Sequence, residues 1–153
     1  MRRIEFRAWD TKLKTIRSNV PVMNGEYLKV DLTRNLERVE AGLSTHDFPL
    51  MQFTGLQDKW GVDIFEGHIL ESRASENEKD WKRWICVFQD GSFCFEAEAG
   101  KKKRKYEQNL LCEDNIDLYG LVIIGTIYLH PELMEEKSWN HPHPEANQLH
   151  AAP

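Results

Sequence analysis

The sequence predicts a mainly β protein built around a small barrel, and three stretches carry that prediction. Residues 4–9 alternate apolar and polar side chains. Residues 84–96 hold two apolar runs separated by Asp90-Gly91. Residues 50–70 place apolar runs on either side of a turn rich in Asp and Gly. Period-two alternation and Asp-Gly turns are the signals of strands and hairpins.

At the N-terminus Ile4, Phe6 and Ala8 alternate with Arg3, Glu5, Arg7 and Trp9, which makes a strand with one apolar face. A turn at Asp10-Thr11-Lys12 leads to a return strand within residues 13–22. Asn24-Gly25 is a tight hairpin signal because both residues tolerate positive φ. Over residues 31–43 the spacing changes. Leu32, Leu36, Val39 and Leu43 lie four, three and four apart, with Asp31 placed to cap and Gly42 to terminate, so the spacing predicts a helix.

Leu50 to Thr54 reads as a strand that Gly55 breaks. Asp58-Lys59-Trp60-Gly61 has turn chemistry, since an Asp can accept from the backbone two residues on and Gly suits the fourth position. Ile64 and Phe65 re-enter the core, Glu66-Gly67 turns again, and Ile69-Leu70 starts the next strand. Two glycine turns so close together fold a chain back sharply, as a small barrel requires. Residues 71–80 read as a polar, solvated loop.

In the next hairpin a two-residue turn sets Phe88 opposite Phe93 and Cys86 opposite Phe95. Trp84, Cys86, Phe88, Phe93, Phe95 and Ala97 then share an apolar face, which is expected to be core. A charged loop follows, leading into a short helix around residues 106–112. Residues 121–129 form an Ile- and Val-rich run that reads as a strand buried on both faces, with Gly125 marking a bulge or a close backbone approach. Pro131 and Glu132 ahead of Lys137 suit a short terminal helix. Residues 138–153 have no apolar period and read as a disordered tail.

The expected organisation is therefore an N-terminal β-rich segment over 1–49 containing the helix at 31–43, a barrel over 50–137 closed by the short helix, and the tail at 138–153. The chain has 153 residues, 41% hydrophobic and 29% charged, an ordinary balance for one globular domain with at most a small appendage. No apolar run is long enough to cross a membrane, and the N-terminus lacks a signal-peptide core, so a cytoplasmic protein without membrane contact is expected. Net charge is −5, and residues 1–71 carry ten Lys and Arg against eleven acids, so no whole-molecule field attracts nucleic acid. Three cysteines and no secretory signal argue for reduced thiols.

Three blocks carry a family resemblance. Met51-Gln52-Phe53-Thr54-Gly55-Leu56, with Asp58, Gly61 and Ile64-Phe65-Glu66-Gly67 before Ile69, resembles the signature of the YopX family. Arg3 to Asp10 resembles that family's opening. Val122 to Tyr128, followed by Pro131-Glu132-Leu133-Met134, resembles its close. The resemblance implies a small bacteriophage or prophage protein with an SH3-like barrel in its central and C-terminal part, acting in the bacterial host cell. It implies no activity. Two positions depart from the family pattern: His68 stands where Asp is usual, and Trp60 replaces a small polar turn residue.

Four groups of residues have the chemistry of a site. Lys101, Lys102, Lys103, Arg104 and Lys105 could contact nucleic-acid phosphates, with Tyr106 and Trp81 or Trp84 as stacking partners. The plainer reading is a solvated loop on an acidic protein. Cys86 and Cys94 point to opposite faces in the hairpin register, so neither a disulfide nor a shared metal is expected. His68, near Glu66 and Asp63, has the composition of a general base, but the sequence offers no nucleophile, and a polar turn residue is the plainer reading. His141, His143 and Glu145 would ligate a metal only adventitiously, in a tail without a supporting shell.

Trp60 at a turn tip, with His68 nearby, is the candidate partner contact, because aromatics dominate interface energetics. The sequence thus points to a non-enzymatic binding module, without cofactor or metal, that meets a protein partner or a second copy of itself. Nucleic-acid binding through 101–105 and an enzyme site at His68 stand as alternatives.

Overall fold

In the computed structural model, residues 3–18, 22–23, 26–30, 39–43, 49–78, 81–99 and 105–135 are described. The chain divides into two compact units, Met1–Phe53 and Thr54–Pro153. The boundary falls inside a strand.

The first unit contains β1 (Phe6–Asp10), β2 (Thr15–Arg17), β3 (Val22–Met23), β4 (Glu26–Val30), β5 (Val39–Leu43) and the start of β6 (Leu50–Gln57). β1 pairs antiparallel with β2 and with residues 50–52 of β6. β3 pairs with β4 across the Asn24-Gly25 position, Val22 opposite Tyr27 and Met23 opposite Glu26, as the hairpin signal requires. The helix expected over 31–43 is contradicted in its last five residues. Val39–Leu43 is a strand paired to β4, with Val30 opposite Val39 and Tyr27 opposite Leu43. Cross-strand pairing with β4 overrides the local helical spacing here, and the register slips between Tyr27 and Lys29. Residues 31–38 lie outside the described residues.

The second unit contains the end of β6, then β7 (Asp63–Phe65), β8 (His68–Ser72), β9 (Arg83–Gln89), β10 (Ser92–Ala99), β11 (Lys105–Leu110), α1 (Glu113–Tyr119) and β12 (Leu121–Thr126). A 3-10 helix, Pro131–Met134, follows. A five-stranded antiparallel sheet runs in the order β11-β10-β9-β8-β12, while β7 lies beside β6. The register of β12 on β8 slips between Ile123 and Gly125, the bulge that the glycine signalled. The unit is a curled antiparallel half-barrel, and the mainly β, barrel-like class expected from the sequence is the class observed.

The β9–β10 hairpin has the expected register, with Phe88 opposite Phe93, Val87 opposite Cys94 and Cys86 opposite Phe95. Its inner face joins Ile64, Leu70, Leu121 and Ile123 in the main core, where Trp84 meets Phe95 edge-to-face at 5.1 Å. Phe88 is a correction. It is 51% exposed at the hairpin tip, where its ring stands edge-on to Phe93 at 5.0 Å.

Two further expectations change. The helix placed around 106–112 begins only at Glu113, and Lys105–Leu110 instead extends the sheet beside β10. α1 ends on Gly120, whose φ of 58° is the left-handed C-cap conformation. Glu71, expected in a solvated loop, is a fully buried residue of β8. Its carboxylate holds Arg73 through Oε1 at 2.8 Å and Arg83 through Oε2 at 3.2 Å. The tail at 138–153 lies outside the described residues.

Candidate interaction site

Two turns of the second unit dock against β12, and the candidate residues sit on them. In the first, Asp58 is buried and its Oδ1 accepts the N–H groups of Trp60 and Val62, each at 2.9 Å. Its Oδ2 accepts the N–H of Ile123 in β12 at 2.9 Å. The Lys59 N–H donates to the Leu121 carbonyl at 2.9 Å, and Gly61 closes the turn at φ 79°. One carboxylate therefore fixes the turn internally and ties it to the sheet edge. A charged acceptor makes these bonds stronger than neutral ones.

At the tip of this turn Trp60 is 62% exposed. The main chain beneath it is fixed by the Asp58 bonds, so the indole is presented from a rigid support.

The second turn joins β7 to β8. Gly67 sits at φ 78°, donates to the Cys86 carbonyl at 2.8 Å and accepts from the Ile127 N–H at 2.9 Å. A Cβ there would lie 3.1 Å from the Tyr128 ring, so glycine meets both a conformational and a steric demand. Burial, and then the nearby Glu66 carboxylate, hold the Tyr128 phenol above its ordinary pKa. Burial first, then Glu66 and Cys94, push the Cys86 thiol up in the same direction. Cys86 is thus an inert core thiol rather than a nucleophile.

His68 does not sit as a polar residue on an exposed turn. It is 5% exposed, its ring stands edge-on to Phe65 at 5.9 Å, and its Nδ1 accepts the Phe65 N–H at 3.2 Å. That bond assigns the proton of the neutral ring to Nε2. Asp63 bonds the Gln57 side chain at 3.0 Å. His68 is therefore part of the packing of its own turn, and burial removes it from the surface as a partner contact.

The remaining candidates separate. Residues 101–104 lie outside the described residues, as do His141, His143 and Glu145; Lys105 opens β11. Of the stacking partners, Trp84 is buried in the main core. Trp81 donates its indole N–H to the Ser75 carbonyl at 2.8 Å and lies under the Arg73 guanidinium at 4.9 Å. Cys86 and Cys94 are free and face opposite sides of the sheet, and Cys112 is free at the start of α1. Among the described residues no group of three or more His, Cys, Asp or Glu is placed to hold a metal ion, and no helix is long and apolar enough to cross a membrane.

Sequence reasoning missed the reach of Asp58 to Ile123 and the Glu71 cluster. For Glu71 a signal existed, since it alternates with Ile69 and so falls on the same side of β8.

The family profile described as YopX protein matches residues 5–135. The crystal structure of protein EF1440 from Enterococcus faecalis is similar, with a TM-score of 0.62 and 27% sequence identity over 88% of this chain and 100% of that one. None of the curated proteins matches the sequence.

Proposed function

We propose that this chain, which belongs to the YopX family, is a non-enzymatic binding module that engages a protein partner or a second copy of itself through the Trp60 turn. One observation carries the reading: Trp60, 62% exposed, stands on a turn whose main chain makes two hydrogen bonds to the buried Asp58 carboxylate, which a third bond ties to Ile123. A large aromatic held in place loses little conformational freedom on binding, and such residues dominate interface energetics. The resemblance supports a role as an accessory protein of phage or prophage type in the cytoplasm of the bacterial host. An enzyme centred on His68 is disfavoured, because the ring is buried and its Nδ1 is engaged by its own turn.

The test is photo-crosslinking in bacterial cells, with a photoreactive phenylalanine analogue placed at position 60 or at the exposed Lys82 as control. The expected result is a discrete adduct, to another protein or to a second copy, from position 60 alone. No adduct from position 60, or the same products from both positions, contradicts the proposal. Nucleic-acid binding is tested separately. Affinity that falls steeply with salt, and falls when residues 101–105 are neutralised, would replace the protein-binding reading.

A further inference from the structure

The other side of the five-stranded sheet carries a second, smaller apolar cluster. Ile69, Val122 and Ile124 are fully buried there, beneath Ile127, Leu133 and Met134. The cover is thin. Leu133 and Met134 are only half-buried, and Pro131 and Glu132 are exposed. A four-residue 3-10 helix has little stability of its own, so this segment is held by what it touches.

Polar anchors add to this packing. Arg83 donates from Nη1 to the Leu133 carbonyl at 2.8 Å, and the same guanidinium is paired with Glu71. The Thr126 N–H donates to His130 Nδ1 at 3.3 Å, while the His130 N–H donates back to the Thr126 carbonyl at 2.8 Å. The segment lies directly on the main chain of the bulge. A Cβ built on Gly125 would stand 2.7 Å from His130 Nδ1 and 3.0 Å from Leu133 Cδ1. These anchors belong to β9 and β12, so the sheet keeps its own pairing when the segment leaves.

We propose that residues 130–134 form a detachable strap, which opens locally to expose the apolar strip of Ile69, Val122 and Ile124 while the sheet beneath stays folded. A short 3-10 segment whose apolar residues are half-buried and whose neighbours are exposed is the kind that opens independently of the global transition. The Gly125 bulge provides the flat bed on which the strap lies, and Arg83 is the latch. This device is on the sheet and does not depend on the Trp60 turn.

Amide hydrogen exchange on the full chain tests it. The N–H groups of Leu133 and Glu135, bonded within the strap, are expected to exchange at least about 100-fold faster than those of the paired residues of β9 and β10, with little dependence on denaturant, as local opening requires. Gly125→Ala places a methyl under the strap. It is expected to abolish strap protection and raise the fluorescence of a hydrophobic dye, with β9–β10 protection retained. Leu133→Ser, altering the strap and not the sheet, is expected to do the same and serves if Gly125→Ala does not fold. The proposal is overturned if strap and sheet amides share one denaturant-dependent rate, or if Leu133→Ser lowers protection in both together.

Discussion

The Asp58 carboxylate accepts the main-chain N–H of Ile123 through Oδ2 at 2.9 Å, joining residues 65 positions apart. Oδ1 of the same group accepts two N–H groups of its own turn. A local turn and the edge of the sheet thus share one buried acceptor.

Replacing Asp58 therefore costs more than a surface turn residue would. Asp58→Ala leaves the buried Ile123 N–H and the turn amides without their acceptor, and is expected to destabilise the protein by about 2–4 kcal/mol. Asp58→Asn restores one acceptor oxygen but presents a donor to one of the N–H groups, so it recovers only part of the loss. Urea midpoints of the two variants check the order.

Two of the three phenylalanines on one face of the hairpin, Phe95 and Phe88, are expected to differ. Phe95 is fully buried between Trp84 and Tyr119, and Phe95→Ala should cost about 3–5 kcal/mol. Phe88 is half in water, and Phe88→Ala should cost about 1 kcal/mol or less. Equal losses in denaturant unfolding would show that the hairpin tip is covered.

This pair also shows what the sequence could convey. The hairpin register was legible, because Asp90-Gly91 fixes a two-residue turn and the turn fixes every pair behind it. The extent of the core was not legible, since alternation marks a face and not how far along the strand the opposite layer reaches. The bulge at Gly125 was legible because a glycine inside an apolar strand leaves a gap in the packing that a bulge or a close neighbour must fill. Asp58 was legible as a turn residue only. Its second oxygen serves Ile123, and no local pattern encodes a contact over that separation. His68 read as polar in a turn, whereas the ring tucks inward to accept its own turn's N–H.

Asp10 gives a dependence on pH. Burial acts to raise its carboxyl, but N–H donation from Leu13, Arg17 and Lys12, with the Arg17 charge, outweighs it and holds the carboxyl below its ordinary value. A carboxyl lowered in the folded state adds stability that is present above its unfolded pKa and lost as pH falls through the folded one. Arg17 bonds Asp10 Oδ2 through Nε at 3.0 Å and Nη2 at 2.7 Å. Arg17→Gln should therefore raise the Asp10 pKa in a carbon-detected NMR titration and move the acid limb of the stability curve to higher pH. An unchanged titration would assign the shift to the backbone donors alone.

Glu71 and Arg83 are expected to be strongly coupled. Arg83→Met leaves a buried carboxylate with one of its two arginine partners, and should cost about 3–5 kcal/mol. Glu71→Leu combined with Arg83→Met removes both charges of that pair and should cost much less than the sum of the single changes. A double-mutant cycle in denaturant measures the difference, and strict additivity would show that the pair is not coupled.

The central claim is that a fixed turn presents the Trp60 indole to a partner. Its most direct test is NMR of the nitrogen-labelled chain, comparing the backbone amide and the indole N–H of that one residue. The account predicts a rigid Trp60 amide, with a high heteronuclear NOE and slow exchange through its bond to Asp58, beside an indole N–H that exchanges rapidly with solvent. A mobile amide, or an indole protected by folding back onto the sheet, would contradict it.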